Sequence, residues 1–273
     1  MRTRLLSILL LAAAACSHDP VAPPAAELAT AAPAVPAPPA EAVATEAVAP
    51  AAQPPAAPAD HGGAAGAIRL NGEETKVRWS DGDSFDIESG PHAGAGTRLI
   101  GFNALESYGP VHRWGAWKPA ELSAIARTSK ELANAEVWDC TSDGKKDGYG
   151  RLLIACPGAG RALVRAGHAF VMAVDEEPDA ELLKAQAAAR AAKAGMWAKG
   201  APTEIVSSVH PSEGGKPSYN RVVNVETGRS RKWSHQSTYQ ICEEVCLPDG
   251  SSCLVYVPFD RRYKAATRAD CLK

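Results

Sequence analysis

The sequence has no apolar run near its start that is long enough to cross a membrane as a helix. Arg2 and Arg4 form a short basic region, residues 5–11 an apolar run, and residues 12–15 a stretch of small side chains. A transmembrane helix needs about 20 apolar residues, whereas the order basic, apolar and small is typical of a cleaved export signal. We therefore expect an exported chain whose first residues are removed.

Cys16 follows directly after the small residues, as the modified cysteine does in a bacterial lipobox. The resemblance implies that the thiol is acylated and that lipid chains alone hold the protein on a membrane. Ser17, rather than Asp, comes next, which by resemblance to bacterial sorting rules favours the outer membrane, on the periplasmic or the outer surface. Ala13 stands where a lipobox usually has Leu. An ordinary signal peptide cut nearby is the alternative.

Net charge is also nearly absent. The 29 Lys and Arg residues and 31 Asp and Glu residues give a formal charge of -2, so overall composition does not indicate a polyanion-binding protein. Residues 17–66 are mostly Ala and Pro with scattered Glu, and such a segment cannot bury enough apolar surface to become ordered. Because its prolines favour extended conformations, residues 17–66 are predicted to form a disordered, semi-stiff tether.

The cysteines lack the two CxxC pairs that would indicate a strong zinc site. Besides Cys16 there are six: Cys140, Cys156, Cys242, Cys246, Cys253 and Cys271. An even number in an exported chain favours three disulfides. Cys140 and Cys156 flank a predicted hairpin and are the natural local pair. The other four are expected to cross-link the C-terminal segment, in one of three pairings, with a four-cysteine zinc site as the rival interpretation.

The hydrophobic pattern predicts an α+β domain over residues 67–200. Alternating apolar residues predict short strands between 67 and 87, with turns at Asn71-Gly72 and Asp81-Gly82. Further strands are predicted at 97–102, 136–140 and 151–156, and helices at 119–134, 160–166 and 178–194. This order is the one expected of a five-stranded OB-fold barrel with added helices.

After residue 200 the sequence changes character. Residues 201–218 are polar and contain Gly214-Gly215, which indicates a linker. Residues 219–273 are predicted to form a small Cys-rich module with several short strands, and a module of this size needs its disulfides to be stable.

Four motifs occur in a fixed order in the predicted barrel. They are DGDS at 81–84, RLIGFNALE at 98–106, DGYGR at 147–151, and ALVRAG at 162–167 with KAGMW at 193–197. Together they resemble the staphylococcal nuclease (thermonuclease) family over roughly half of the chain. The resemblance implies an OB-fold and a metal-dependent endonuclease that acts on DNA, RNA or both and leaves 3′-phosphate ends.

The resemblance assigns a role to each of five positions. Asp83 matches the first metal-binding Asp, and Asn103 stands at the second metal-ligand position. Arg98 and Arg151 match the arginines that clamp the phosphate, and Glu106 matches the proposed general base. These types suit phosphodiester hydrolysis, because oxygen ligands bind a hard ion such as Ca²⁺, arginines offer paired donors to phosphate and a glutamate can deprotonate water. Mg²⁺ or another divalent ion is the alternative to Ca²⁺.

The metal loop is where the sequence departs most from the family pattern. Asn103 replaces an Asp, Ala104 a Thr, and Leu105 a Pro. An amide oxygen can still bind Ca²⁺, but with one negative charge fewer the site is expected to bind metal more weakly.

The nucleotide pocket departs as well. Residues 171–175 lack the two tyrosines that often line the pocket in the family. Candidate substitutes for the stacking platform are Trp114, Trp117 and Tyr108. Lys146 and Tyr149, in the loop before Arg151, are candidate substrate-binding residues. His112 is interpreted as a surface histidine rather than as an acid or a metal ligand.

Each motif residue also has an ordinary structural interpretation. Asp81 and Asp83 could be turn formers, Arg98 a salt-bridge partner, Glu106 a loop carboxylate without a role and Arg151 a solvated side chain. Their joint presence favours the functional interpretation. A basic run with an aromatic neighbour (Arg229, Arg231, Lys232, Trp233) suits nucleic acid, although nearby acids make a solvated surface at least as plausible.

The sequence thus favours a secreted or surface-tethered metal-dependent nuclease, with DNA or RNA as its partner, a membrane contacted through Cys16 and no protein partner evident. The alternative is a non-catalytic OB-fold lipoprotein of the envelope that binds nucleic acid or protein and has a degenerate metal site, as residues 103–105 suggest. A third hypothesis gives the function to the Cys-rich tail.

Overall fold

A computed structural model describes residues 66–106, 109–213, 217–262 and 269–272 of the chain. The predicted export signal, Cys16, the tether up to residue 65, Tyr108 and Gly214-Gly215 lie outside these ranges, so those interpretations stay predictions. None of the helices in the described ranges has the length and apolar character needed to span a bilayer.

The described chain is mixed α+β. Its strands are β1 (Ala67–Leu70), β2 (Glu73–Trp79), β3 (Phe85–Ile87), β4 (Thr97–Leu99), β5 (Gly101–Ala104), β6 (Val111–Trp114), β7 (Trp138–Cys140), β8 (Leu152–Ile154), β9 (Ala169–Met172), β10 (Glu204–Ser208), β11 (Ser218–Asn224), β12 (Ser230–His235), β13 (Glu244–Cys246) and β14 (Ser252–Val255). Its helices are α1 (Pro119–Ala133), α2 (Pro157–Arg165), α3 (Ala180–Ala191) and α4 (Phe259–Arg262).

The first three strands, in the region predicted to form short strands, make an antiparallel meander, and β7 adds to it in parallel, in the order β3-β2-β1-β7. Asn71 and Gly72 form the β1–β2 turn with φ values of 52° and 88°, the left-handed region that this residue pair favours in hairpins. Apolar side chains alternate along β2, where Val77 and Trp79 face the core. The sequence pattern therefore predicted the first strands and the turn at Asn71-Gly72 from local rules, but not the parallel addition of β7.

The other barrel strands are short pairs. The single strand predicted for 97–102 is divided after Leu99, where Gly101 has a φ of 89°, a conformation that strains other residues. β4 pairs in parallel with β8, and β5 pairs antiparallel with β9. Isolated bridges, rather than continuous ladders, join the region of β3 to that of β4, and the region of β7 to that of β8. The described strands thus form several sheets rather than a closed five-stranded barrel.

The predicted helices are confirmed to within a few residues at their ends. α1 begins at Pro119. A proline is suited to this position, because the backbone N–H that it lacks would have no acceptor within the helix. α3 is capped by Asp179, whose side chain accepts hydrogen bonds from the backbone of Glu181 and Leu182. α2 and α3 cover the strands and contribute Leu163 and Leu182 to the core beneath them.

The C-terminal segment differs from the prediction. β10 lies inside the stretch predicted as a linker, and it pairs with β11, which pairs with β12. Ile205 and Val223 share a buried cluster with Trp114 and Phe170 from the preceding domain, and β14 pairs antiparallel with β6. The segment buries a small apolar cluster of its own, which includes Val222 and Leu254, and it also joins the core of the preceding domain.

The structure contains three disulfides among its described residues. The predicted Cys140–Cys156 pair is confirmed. Of the three pairings left open for the other cysteines, the structure has Cys242–Cys271 and Cys246–Cys253. The sulfurs of Cys246 and Cys253 lie near the carboxylate of Glu244, but they are bonded to each other, so the four-cysteine zinc interpretation is wrong.

His112 on β6 is buried, which makes its interpretation as a surface residue wrong. The side chain is 1% exposed, and neither ring nitrogen has a hydrogen-bond partner among the described residues. Its ring packs edge-on against Trp114 and Phe170. Burial lowers the pKa of His112 to about 3, because an apolar site disfavours the charged imidazolium.

His112 should make the fold sensitive to acid. Between about pH 6.5 and pH 3 the unfolded chain binds a proton at this position that the folded chain does not. The free energy of unfolding should therefore fall as the pH falls through this window, by up to about 1.4 kcal/mol per pH unit from this group. Urea unfolding at several pH values measures this effect. The free energy of unfolding should depend less steeply on pH in His112→Leu than in the wild type, and equal pH dependence in the two proteins would show that His112 is not the cause.

Candidate active site

The Asp81–Ser84 motif forms the turn between β2 and β3 and directs Asp83 inward. Oδ1 of Asp81 accepts hydrogen bonds from the backbone N–H of Asp83, at 3.0 Å, and from the hydroxyl of Ser84, at 2.7 Å. Asp83 itself is 2% exposed. Asp81 is thus the turn former that the ordinary interpretation predicts, and the turn it stabilises buries the second carboxylate.

Gly82 lets this turn lie close to the rest of the site. A Cβ atom on Gly82 would lie 2.8 Å from Cβ of Ala104 and 3.0 Å from Cβ of Ser129. These distances are shorter than atoms in contact tolerate, so only glycine fits here without movement of the turn or of β5.

The substitution Gly82→Ala should therefore displace Asp83 and weaken both the fold and any activity of the site. Overpacking of this kind costs about 1–3 kcal/mol. The matched control is Gly148→Ala in the loop before Arg151, where an added Cβ meets nothing within 4 Å. Urea unfolding should separate the two variants, and equal stability of both would show that the turn has room to move.

The guanidinium of Arg98 joins the turn to the β4–β5 segment. Nη1 donates to Oδ1 of Asp83 at 2.6 Å, and Nη2 donates to the amide oxygen of Asn103. The other carboxylate oxygen of Asp83 accepts the backbone N–H of Ala104 at 2.6 Å. Asn103 is 3% exposed. One cationic group thus connects the two residues that the sequence assigns to metal binding.

The buried carboxylate of Asp83 lies in a conflicting electrostatic environment. Burial raises the pKa of Asp83 well above its usual range. Arg98 opposes that rise, whereas Asp81 and Glu106 add to it because their negative charges are close. The site therefore concentrates more negative charge than Arg98 alone compensates.

Glu106 follows β5 and is half-buried. Burial raises the pKa of Glu106 to about 7, and the charge of Asp81 adds to the rise. Arg98, Arg262 and Arg151 act in the opposite direction, so all three lie within electrostatic reach of this carboxylate. A carboxyl whose pKa lies near neutrality is suited to accepting a proton.

Arg151 is held by Asp147, four residues earlier in the loop between β7 and β8. Nε donates to Oδ2 of Asp147 at 2.8 Å, and the backbone N–H of Arg151 donates to Oδ1 at 3.0 Å. The guanidinium carbon lies 5.8 Å from the ring centre of Tyr149, which is 70% exposed. Lys146 is also exposed in this loop. The arginine is therefore positioned while part of its side chain remains open to solvent.

A family model for staphylococcal nuclease homologues matches residues 97–199. Over this segment the chain is similar to the staphylococcal nuclease family, and residues 67–200 are called the nuclease domain below. Arg98, Asn103, Glu106 and Arg151 lie in the matched segment, and the turn that carries Asp83 lies just before it. Members of this family are generally nucleases that hydrolyse phosphodiester bonds, and they typically use Ca²⁺. A comparison with curated proteins gave no match.

Two of the aromatic residues suggested for the nucleotide pocket lie in the described part of the chain. Trp114 is fully buried, so its interpretation as a platform is wrong. Trp117 is half-buried, with its indole N–H donated to the carbonyl of Met196 and the ammonium of Lys199 over its ring at 4.6 Å. Val171 is buried in the core.

Three residues of the nuclease domain and its C-terminal extension were missed as site residues. Asp81 influences the pKa of both acids in the site. Asp147 orients Arg151, which its place four residues before the arginine in the motif could have indicated. Arg262 reaches Glu106 from α4, and no local sequence signal predicts such a long-range approach.

The donor set of the nuclease domain fits a hard divalent cation. Asp83 and Asn103 offer oxygen, the ligand that Ca²⁺ prefers, and the carboxylates of Asp81 and Glu106 are near enough to raise the pKa of Asp83. Oδ1 of Asp83 and Oδ1 of Asn103 already converge on one cationic group. The mutual repulsion of the carboxylates is what a bound cation would relieve.

Proposed function

We propose that this chain is a secreted or surface-tethered metal-dependent nuclease that hydrolyses phosphodiester bonds of DNA, RNA or both. The observation that supports it most is the position of Arg98 between Asp83 and Asn103, with Glu106 and Arg151 within electrostatic reach. Acids, arginines and a base in one place suit attack on an anionic phosphodiester.

In this proposal Asp83 and Asn103 would hold Ca²⁺, with Asp81 close by. A bound cation would supply positive charge to polarise a phosphate oxygen and to stabilise the charge that develops there. Glu106 accepts the proton of the attacking water. Arg151 donates paired hydrogen bonds to the phosphate oxygens, and Arg98 shares its donors between the phosphate and its present acceptors. By resemblance, the cut is endonucleolytic and leaves a 3′-phosphate.

The remaining parts of the proposal concern the fold and the place of action. We include a five-stranded OB-fold arrangement of the nuclease domain, since the short strand pairs and their linking bridges surround one core. We also include export and a lipid anchor at Cys16 in a bacterial outer membrane, with residues 17–66 as the tether, from the sequence pattern alone.

The proposal is tested by incubating the full chain with labelled single-stranded DNA and RNA in Ca²⁺, in Mg²⁺ and in chelator. Cleavage that requires a divalent ion and yields 3′-phosphate ends is expected. A folded protein that cuts neither substrate under any of these conditions would contradict it.

A second function is favoured by one observation at the metal loop. The amide oxygen of Asn103 already accepts a hydrogen bond from Arg98. Asn103 also carries no negative charge, whereas the Asp usual at this position carries one. Such a weakened metal site is what we expect of a non-catalytic domain that binds nucleic acid or an envelope protein. Calorimetric titration with Ca²⁺ in the presence of nucleotide separates the two functions, because the binding-only function predicts no heat of metal binding in the wild type.

A further inference from the structure

Three aromatic rings form a continuous row that begins beside Arg151 and ends on the C-terminal sheet. Tyr149 stacks on His210, with ring centres 6.2 Å apart and planes 17° apart. The ring of Tyr219 lies 5.0 Å further along from His210. We call Tyr149, His210 and Tyr219 the aromatic strip. His210 and Tyr219 lie outside the segment that the family model matches.

Cations line the strip along its length. The guanidinium of Arg151 lies 5.8 Å from the ring of Tyr149 at one end. At the other end the guanidinium of Arg221 lies 5.7 Å, and the ammonium of Lys232 4.8 Å, from the ring of Tyr219. Cations at such distances from an aromatic face are held there by its quadrupole.

Strand register explains why these residues share one face. Tyr219 and Arg221 are two residues apart on β11, and Arg221 is paired directly with Lys232 on β12, so all three point to the same side of the sheet. Asn220 and Val222, which alternate with them, are buried on the other side. The next residue on the same face of β11 is Val223, which is buried in the core shared with Trp114. The strip therefore lies at the edge of that core, where Tyr219 and Arg221 are half-buried and Lys232 is exposed.

Arg262 links the strip to the candidate active site. Burial, Arg221 and Arg262 lower the pKa of His210, and Arg262 also opposes the rise in the pKa of Glu106 that burial causes, so Arg262 lies within electrostatic reach of both. Its Nε donates to the carbonyl of Val257 at 2.8 Å, which fixes the base of the guanidinium. Positive charge therefore lies at both ends of the strip, with Asp147, the ion-pair partner of Arg151, as the acidic group at the Tyr149 end.

Alternating aromatic rings and cations are what an unpaired polynucleotide requires. Each exposed base can stack on a ring, whatever its identity, while the phosphates meet cations along the same path. A duplex keeps its bases stacked on one another and offers only its phosphates, so it cannot use the rings.

We propose that the aromatic strip, with Arg221 and Lys232, is a binding surface for single-stranded nucleic acid that extends the substrate site from Arg151 across the C-terminal sheet. The inference rests on the proposed nuclease function for its direction, since the strand would be bound beside the bond to be cut. It assigns the C-terminal sheet a role in selecting long, unpaired substrates.

Two pairs of variants of the full chain test the proposal. Tyr219→Ala removes the ring, and Tyr219→Phe keeps the ring and removes only the hydroxyl. Lys232→Gln removes a cation of the strip, and Arg231→Gln removes its neighbour, which points to the other side of β12 and pairs with Glu204. Tyr219→Phe is therefore the control for Tyr219→Ala, because it keeps the aromatic ring. Arg231→Gln is the control for Lys232→Gln, because it removes one positive charge from the other side of β12.

Binding is measured by fluorescence anisotropy in chelator, with labelled oligothymidylates of about 4 and about 16 nucleotides, the range that a single-strand site spans, and with a duplex of the longer sequence. The wild type should bind the long single strand more tightly than either other probe. Tyr219→Ala should weaken that binding about tenfold, and Tyr219→Phe should not. Lys232→Gln should reduce the slope of log affinity against log salt by about 0.7, and Arg231→Gln should leave it unchanged.

Several results would overturn the strip. They are equal affinity of wild type and Tyr219→Ala for the long strand, equal losses in Tyr219→Ala and Tyr219→Phe, equal slopes in Lys232→Gln and Arg231→Gln, or preference for the duplex. Urea unfolding of the four variants shows whether a loss of binding is a loss of folding. A wild type that binds as expected but does not cleave would refute the proposed nuclease function and support the strip as a binding surface. Cleavage by the wild type together with unchanged binding in Tyr219→Ala would support the nuclease function and refute the strip.

Discussion

Replacing Glu106 with Gln should lower the rate of single-stranded DNA cleavage by about 10²–10⁴-fold, the contribution of a positioned general base. The substitution keeps the size of the side chain and removes its ability to accept the proton. It also removes a negative charge that raises the pKa of Asp83, so the fold should be retained or slightly stabilised. Initial rates in saturating Ca²⁺ give the comparison, with the unfolding midpoint measured on the same preparations.

The control for Glu106→Gln is Glu131→Gln on the exposed side of α1, which makes the same chemical change away from the site. It should cleave at the wild-type rate. If Glu106→Gln also cleaved at that rate, Glu106 would not be the base, and the proposed mechanism would fail even if the chain were a nuclease.

Replacing Arg98 with Met should produce the largest loss of stability among the site variants. Met has a similar length but leaves the carboxylate of Asp83, which is 2% exposed, without its cationic partner. Removing one partner of a buried ion pair typically costs about 3–5 kcal/mol. The loss of stability should lie near the lower end of that range, because the pKa of Asp83 is raised and the carboxylate can take up a proton when its partner is removed.

Urea unfolding in chelator and in Ca²⁺ measures this effect. Arg69→Met is the matched control, since Arg69 pairs with Asp139 at the surface, where ion pairs contribute little. It should lose much less stability than Arg98→Met. Added Ca²⁺ should recover part of the loss in Arg98→Met, because an ion bound only by the folded state stabilises it. Equal losses in the two variants would mean that Asp83 does not depend on Arg98.

Local patterns predicted the parts of the fold that depend on neighbouring residues. The Asn71-Gly72 turn, the alternation along β2 and the proline at the start of α1 each have a cause within a few positions of the chain. The same holds for the site, where the motifs around Asp83 and Arg98 mark residues that the fold does bring together.

Pairings between distant parts of the chain were not predictable in this way. β14 pairs with β6, more than a hundred residues earlier, and that pairing buries His112 and places the C-terminal sheet beside the nuclease domain. Nothing near His112 in the sequence distinguishes a buried histidine from an exposed one. The contact of Tyr149 with His210 was not predictable for the same reason, because it joins two loops that lie 61 residues apart in the sequence.

The most direct test of the central claim, that Asp83 and Asn103 form the metal site of a nuclease, is the rate of single-stranded DNA cleavage as a function of Ca²⁺ concentration for wild type and Asp83→Asn. The account predicts a rate that rises from zero and saturates in the wild type. In Asp83→Asn, folded as judged by its unfolding transition, the curve should move to much higher Ca²⁺ or disappear. Cleavage that does not depend on the ion, or identical curves for the two proteins, would contradict the account.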